Sequence, residues 1–213
     1  MSQVFSKSPQ HCAEKERLSI DKFYKKKKLF FTLSSSFTIL LAVILLFWLI
    51  LHPAKPEFFL READIYQFSL SGPHLLNSSI QLTLLSKNPN QKVGIYYDEL
   101  QAYAAYKGQQ ITLDTSFPPF YQDHGESNLL TASLEGTGLP VASSFEYELR
   151  RDQIAGRLVL NLKLNGKLRW KVGTWVSGRY RFNVNCVSVM TFVPTVQTGP
   201  LSSRQGTQCS TSL

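Results

Sequence analysis

Residues 29–51, LFFTLSSSFTILLAVILLFWLIL, run for 23 positions without a charge. A bilayer core of roughly 30 Å is crossed by about 20 apolar residues in a helix, so this stretch is predicted to be one membrane span. Thr32, Ser34, Ser35, Ser36 and Thr38 soften its first half, but hydroxyls can bond back to helix carbonyls. Trp48 lies near the far end, where an amphipathic ring suits the interface, and His52-Pro53 stops the helix. The alternative is a buried core helix, for which 23 uncharged residues is long. A cleaved leader fits less well, because its apolar region is shorter and Pro53, Lys55 and Pro56 make a poor cleavage site. Lys25, Lys26, Lys27 and Lys28 precede the span, and one lysine follows closely. Basic flanks stay cytosolic, so residues 1–28 are expected inside and 52–213 outside or in a lumen. The same lysines are placed to touch anionic lipid, each worth about 1 kcal/mol of attraction.

The formal net charge is +8, and residues 1–28 carry eight basic against three acidic residues. Most of the charge therefore belongs to a short basic tail. A nucleic-acid binder shows a basic stripe on its folded part, with exposed aromatics or a reading helix; no such stripe stands out, so nucleic acid is not an expected partner.

After the span, helical periodicity gives way to period two. Ile80, Leu82 and Leu84 alternate with polar residues, as do Phe145, Tyr147 and Leu149, then Leu168, Trp170 and Val172, and finally Tyr180, Phe182, Val184 and Cys186, while Leu158, Leu160, Leu162 and Leu164 alternate with Val159, Asn161 and Lys163. Such strands have one buried and one wet face. Turn signals separate them at Ser71-Gly72-Pro73, Asn88-Pro89-Asn90, Lys107-Gly108, Gly136-Thr137-Gly138, Asn165-Gly166 and Ser177-Gly178. Seven or eight strands over residues 57–192 suit an all-β, antiparallel two-sheet sandwich preceded by a single transmembrane α-helix. Asn165-Gly166 reads as a hairpin. Parity then favours an odd loop, pairing Leu164 with Leu168 and Leu162 with Trp170, unless the two strands lie in different sheets.

Residues 193–213 are rich in Ser, Thr, Gln and Gly and read as a loose tail. Outside the cell, Cys186 and Cys209 are the two cysteines available to bridge, at about 3 kcal/mol; the alternative is two free thiols. Cys12 is on the cytosolic, reducing side. Asn77-Ser78-Ser79 is a glycosylation sequon just before a strand, whereas Pro89 blocks one at Asn88.

Catalytic patterns are absent from the chain. His11, His52, His74 and His124 have no second His or Cys at metal-ligand spacing, and no phosphate loop or nucleophile elbow appears. Asp123-His124-Gly125-Glu126 reads as a solvated loop rather than an acid–base site. Phe117, Phe120 and Tyr121 around Pro118-Pro119 read as core cover. No enzyme activity, metal or cofactor is expected.

Three blocks carry a family resemblance. Asn88-Pro89-Asn90 followed by Tyr97-Asp98, then Pro119-Phe120-Tyr121-Gln122, then Arg169-Trp170-Lys171-Val172-Gly173-Thr174-Trp175-Val176-Ser177-Gly178, resemble the late embryogenesis abundant group 2 domains of plants. They resemble most the harpin-induced and non-race-specific disease resistance-like branch. The resemblance implies a fibronectin type III-like β-sandwich over 57–192, anchored in the plant plasma membrane and linked to defence and stress, with no catalytic residues. Asn88 can cap a turn with its side chain, Pro89 sets its φ, Asn90 tolerates αL, and Tyr97 would then start the next strand facing the core.

Two functions follow as expectations. The first is a membrane-anchored extracellular interaction module, with membrane or apoplastic protein partners and self-association open to it. With 28 residues inside, it has no room for a kinase. The second is lipid binding or membrane tethering, with an acyl chain between the sheets.

Overall fold

The computed structural model describes residues 10–51, 53–72, 74–191, 201–203 and 206–213, with helix side chains described from 24 to 46. Two compact units divide at His52/Pro53. The first is a helix, α1 (Gln10–Leu51), which runs through the four lysines without a break. Within it Tyr24–Leu46, 23 residues, is long and apolar enough by length and composition to cross a membrane, and none of that stretch is buried. Phe30, Leu40 and Ile44 are each more than half exposed. A core helix would hide such side chains, so the core-helix alternative does not describe this element. Thr32 Oγ1 donates to the Lys28 and Leu29 carbonyls and Thr38 Oγ1 to Ser35, the local back-bonding that makes hydroxyls tolerable in an apolar helix. The side chain of Trp48, together with His52 and residues 192–200, lies outside the described residues.

The second unit runs, in chain order, β1 (Glu57–Leu70), β2 (Leu75–Lys87), β3 (Gly94–Tyr106), β4 (Gln109–Gln110), β5 (Thr115–Phe117), β6 (Phe120–Gln122), β7 (Ser127–Pro140), α2 (Phe145–Ile154), β8 (Arg157–Val172), β9 (Trp175–Val176), β10 (Tyr180–Thr191), β11 (Leu201–Ser203), β12 (Thr207–Gln208) and β13 (Ser210–Ser212). One sheet has the order β11-β1-β2-β7, with β12 also on β1. The other has the order β13-β10-β8-β3-β4, with β5 and β6 on β3 and β9 on β8. All pairings between strands are antiparallel. The result is an antiparallel β-sandwich, as the alternation predicted. Phe58, Leu60, Ile80, Leu82 and Leu84 from one sheet meet Ile95, Tyr97, Leu162, Leu164 and Phe182 from the other, each at most 1% exposed. Phe182 is the hub: its ring stacks on Phe58 at 6.0 Å and meets Tyr97 edge-on at 5.7 Å.

Four sequence expectations are corrected. Asn165-Gly166 is no turn: β8 continues through it for 16 residues. The even positions from Leu158 to Trp170 face the core because one strand carries them all, which removes both the odd-loop and the two-sheet readings. Gly166 is required by Phe182 on β10. A methyl built on Gly166 would lie 2.7 Å from Phe182 Cε1 and nearer still to the Glu99 carbonyl. Gly166→Ala is therefore expected to destabilise by about 1–3 kcal/mol through overpacking, read as a lower chemical-denaturation midpoint for the full chain in detergent.

Phe145–Leu149 is not a strand but the start of α2. Phe145 and Leu149, four apart, share the buried face, while Tyr147 is 71% exposed. The helix is held by Phe145 against Tyr106 at 5.3 Å and by the Tyr106 hydroxyl donating to Asp152 Oδ2 at 2.7 Å. Gly136-Thr137-Gly138 lies inside β7, where the register with β2 slips between Leu76 and Ser78. Gly138, at φ +61°, supplies the irregular backbone there. Lastly, residues 201–203, 207–208 and 210–212 of the expected loose tail are strands, adding to β1 and to β10. Lys107-Gly108, by contrast, is a two-residue hairpin with both φ positive, the geometry that its residues favour.

Candidate functional site

The three sequence blocks converge at one end of the sandwich. The Asn88–Asn90 turn enters β3, β6 pairs with the start of β3, and the end of β8 pairs with that same start. Asn88 is fully buried and uses its whole amide. Its Oδ1 accepts from the Asn90 backbone N–H at 3.1 Å, and its Nδ2 donates to the Val93 carbonyl at 2.8 Å and the Asp123 carbonyl at 3.0 Å. Asn90 does not use the αL conformation that its side chain tolerates, since His74 and Lys107 are the non-glycine residues at positive φ among those described. Instead its side chain holds the segment that follows the helix: Ala54 N–H donates to Asn90 Oδ1 at 2.7 Å, and Asn90 Nδ2 donates to the Ala54 carbonyl at 2.9 Å. Pro89, which has no N–H, sits between them. The motif is a clamp joining four strand ends.

Below the clamp lies a buried polar group that sequence reasoning missed. Gln122 Nε2 donates to the Ser86 carbonyl at 3.0 Å and the Glu126 carbonyl at 3.2 Å, while its Oε1 lies 3.2 Å from the Tyr97 hydroxyl and 3.3 Å from Ser86 Oγ. Burial pushes the Tyr97 hydroxyl far up from its ordinary pKa, so it stays protonated. Phe120 stacks on Tyr97 at 4.5 Å, as core cover. The Asp123-His124-Gly125-Glu126 loop is exposed and closes on itself, with His124 Nδ1 2.7 Å from Asp123 Oδ1. Gly125 N–H donates to the Asn90 carbonyl and Asn88 N–H to that of Glu126, so the acidic loop locks the clamp. Among the described residues no three His, Cys, Asp or Glu side chains gather to hold a metal.

Asp98 stands on the other face of β3, at a register shift, and receives a bidentate Arg169. Arg169 Nη2 is 2.6 Å from Oδ1, Arg169 Nε is 2.8 Å from Oδ2, and Arg179 Nε is 3.2 Å from Oδ2. The Arg169 hydrogen bond holds the Asp98 carboxyl below its usual range, with Arg179 adding to it. A depressed pKa stabilises the fold above the unfolded value of about 3.9 and loses that effect as pH falls through the folded value. Asp98→Asn is thus expected to melt earlier than the parent at pH 7, with the gap closing as pH falls below the unfolded value of about 3.9. A pH series of thermal melts reads it.

Trp170 is buried; its N–H donates to Ser177 Oγ and its carbonyl accepts from Ser177 N–H, both at 2.9 Å. Gly173, at φ +58°, makes the two-residue turn between β8 and β9, and Trp175 next to it is 62% exposed. Gly178 has open space around it and accepts from Ser177 Oγ at 2.8 Å. Asn77 lies in β2 rather than before it, partly exposed, with its Oδ1 accepting from Gly138 N–H at 2.8 Å. Cys186 and Cys209 are joined, with Cα atoms 4.4 Å apart. The outward side of β8 also carries a row of cations, Lys163, Lys167, Arg169 and Lys171, which the reading of the leucines on its other face concealed.

Residues 83–187 match the family model described as "Late embryogenesis abundant protein". NDR1/HIN1-like protein 26 of Arabidopsis thaliana is 59% identical over 100% of both chains. NDR1/HIN1-like protein 1 of the same plant is 42% identical over 78% of this chain and 80% of its own length. Among solved structures, the solution structure of AT1g01470 from Arabidopsis thaliana aligns at 13% identity and TM-score 0.34, over 68% of this chain and 87% of that one. A protein from Archaeoglobus fulgidus aligns at 12% and 0.33, over 66% and 98%.

Proposed function

This chain belongs to the late embryogenesis abundant group 2 family, in its NDR1/HIN1-like branch, and from that premise we propose that it is a single-pass, non-catalytic interaction protein of plant defence and stress response. In this reading α1 anchors it in the plasma membrane, the basic tail stays in the cytosol, and the sandwich stands outside. The observation that carries the reading is an unburied apolar helix followed directly by a sandwich that contains a disulfide. The clamp supports a positional role, because Asn88 and Asn90 are consumed in holding the sandwich and its entry segment together. The space between the sheets, where an acyl chain would lie in the lipid-binding alternative, is occupied by the rings of Phe58, Tyr97 and Phe182. Partners are therefore sought on the outer faces and loops.

Sealed, right-side-out plasma membrane vesicles test the orientation. Trypsin added outside is expected to destroy the sandwich, and a glycosidase to remove one sugar-sized shift that Asn77→Gln abolishes. A sandwich spared by trypsin in sealed vesicles and cut after detergent overturns the proposal.

A further inference from the structure

We propose that the outer face of the larger sheet binds an acidic polysaccharide, a chain bearing carboxylates and many hydroxyls. The first observation is register. β8 is flanked by β3 and β10, and its outward residues Lys163, Asn165, Lys167, Arg169 and Lys171 form one line. Alternate residues of a strand are about 6.7 Å apart, so the line runs for roughly 27 Å. Arg157, Arg179 and Arg181 flank it, and Asp98 and Glu99 are the carboxylates set into it. Asp98 is taken by Arg169 and Arg179, and Glu99 by Lys167 at 2.9 Å. Among the described residues Lys163 and Arg181 have no ion pair. An excess of cations remains across the face.

The second observation is a polar cleft of about 350 Å³ on this face. Two cross-strand rows make it: Glu99, Lys167 and Arg181, then Gln101, Asn165 and Asn183. Its volume lies at the small end of ligand clefts. Arginine matches a carboxylate in a two-pronged geometry, and side-chain amides donate to and accept from hydroxyl groups. Lys167 and Arg181 outnumber Glu99 in one row and three amides fill the next, an arrangement that fits a polymer carrying carboxylates and hydroxyls in turn. A sheet that reads single-stranded nucleic acid places aromatic rings under the bases, and a surface that enters a bilayer places apolar and aromatic side chains outward. The rows of this cleft hold neither. Tyr96 and Tyr121 stand beyond it, under Lys171, whose Nζ is 5.6 and 4.8 Å from their ring centres.

The test uses the full chain in nanodiscs of neutral lipid, with oligogalacturonate as the probe, at about 0.15 M salt to suppress loose ion pairing. Binding is expected, about tenfold weaker for Arg181→Gln, several-fold weaker for Asn165→Ala, and about tenfold weaker for the methyl-esterified probe. Both substitutions are on exposed positions, and unchanged melting curves establish that they fold. Absence of oligogalacturonate binding overturns the proposal. So does equal binding of the esterified probe, or tighter binding of single-stranded RNA or of phosphatidylserine vesicles to the same face. The readout is independent of which side of a membrane the sandwich occupies, so the orientation test and this one fail separately.

Discussion

Asn88→Ala is expected to cost about 3–5 kcal/mol, one of the two largest effects of any single change considered for this chain. The reason is accounting of hydrogen bonds rather than volume. The substitution removes one acceptor and two donors from a site with no exposure, leaving the Asn90 N–H and the carbonyls of Val93 and Asp123 without their partner. Each buried group left unpaired costs about 1–3 kcal/mol. Asn88→Asp keeps the shape and the acceptor but loses both donors and buries a charge, so it is expected to rescue nothing. Asn90→Ala is milder, because Ala54 is exposed to water and Asn88 Oδ1, which loses Asn90 Nδ2, keeps the Asn90 backbone N–H. Denaturant midpoints for the three variants, in the full chain, order them. Equal stability of Asn88→Ala and the parent would refute the clamp.

What the sequence disclosed was whatever depended on neighbours along the chain. The long apolar helix, the alternation in β2, β8 and β10, and the Lys107-Gly108 turn all follow from local pattern, and the structure has them. The failures share a cause. Asn165-Gly166 carries turn chemistry, but Gly166 answers to Phe182, a residue 16 positions later that becomes its neighbour only after β8 and β10 pair. Phe145–Leu149 satisfies period two and the i,i+4 rule equally, and a five-residue window cannot separate them. The tail strands are three residues or fewer and nearly all Ser, Thr and Gln. They sit at sheet edges with Leu201 as their one apolar residue, so no apolar alternation marks them. The clamp was half legible. Asn88 read correctly as a turn cap, whereas its bonds to Asp123 and those of Asn90 to Ala54 join segments 35 and 36 residues apart. The cations of β8 were visible at every second position, but their meaning needed the strands on both sides.

Loss of the Cys186–Cys209 bond is expected to lower stability by about 3 kcal/mol, from a cross-link that spans 23 residues. Its place makes the effect structural as well as entropic. Cys186 points into the core from β10, and Cys209 sits where the tail passes from β12 on one sheet to β13 on the other. Its N–H also donates to the Phe58 carbonyl at 2.8 Å. The bond thus fastens a strap across the open edge of both sheets. In Cys209→Ser the short edge strands are expected to release first, so limited proteolysis within 201–213 quickens before global unfolding does. The same bond reports the compartment. Protein taken from plant membranes in alkylating buffer is expected to label once, at Cys12, and to gain two labels only after reduction. Labelling of all three cysteines without reductant would place the sandwich on a reducing side, and the proposed extracellular orientation would fall with it.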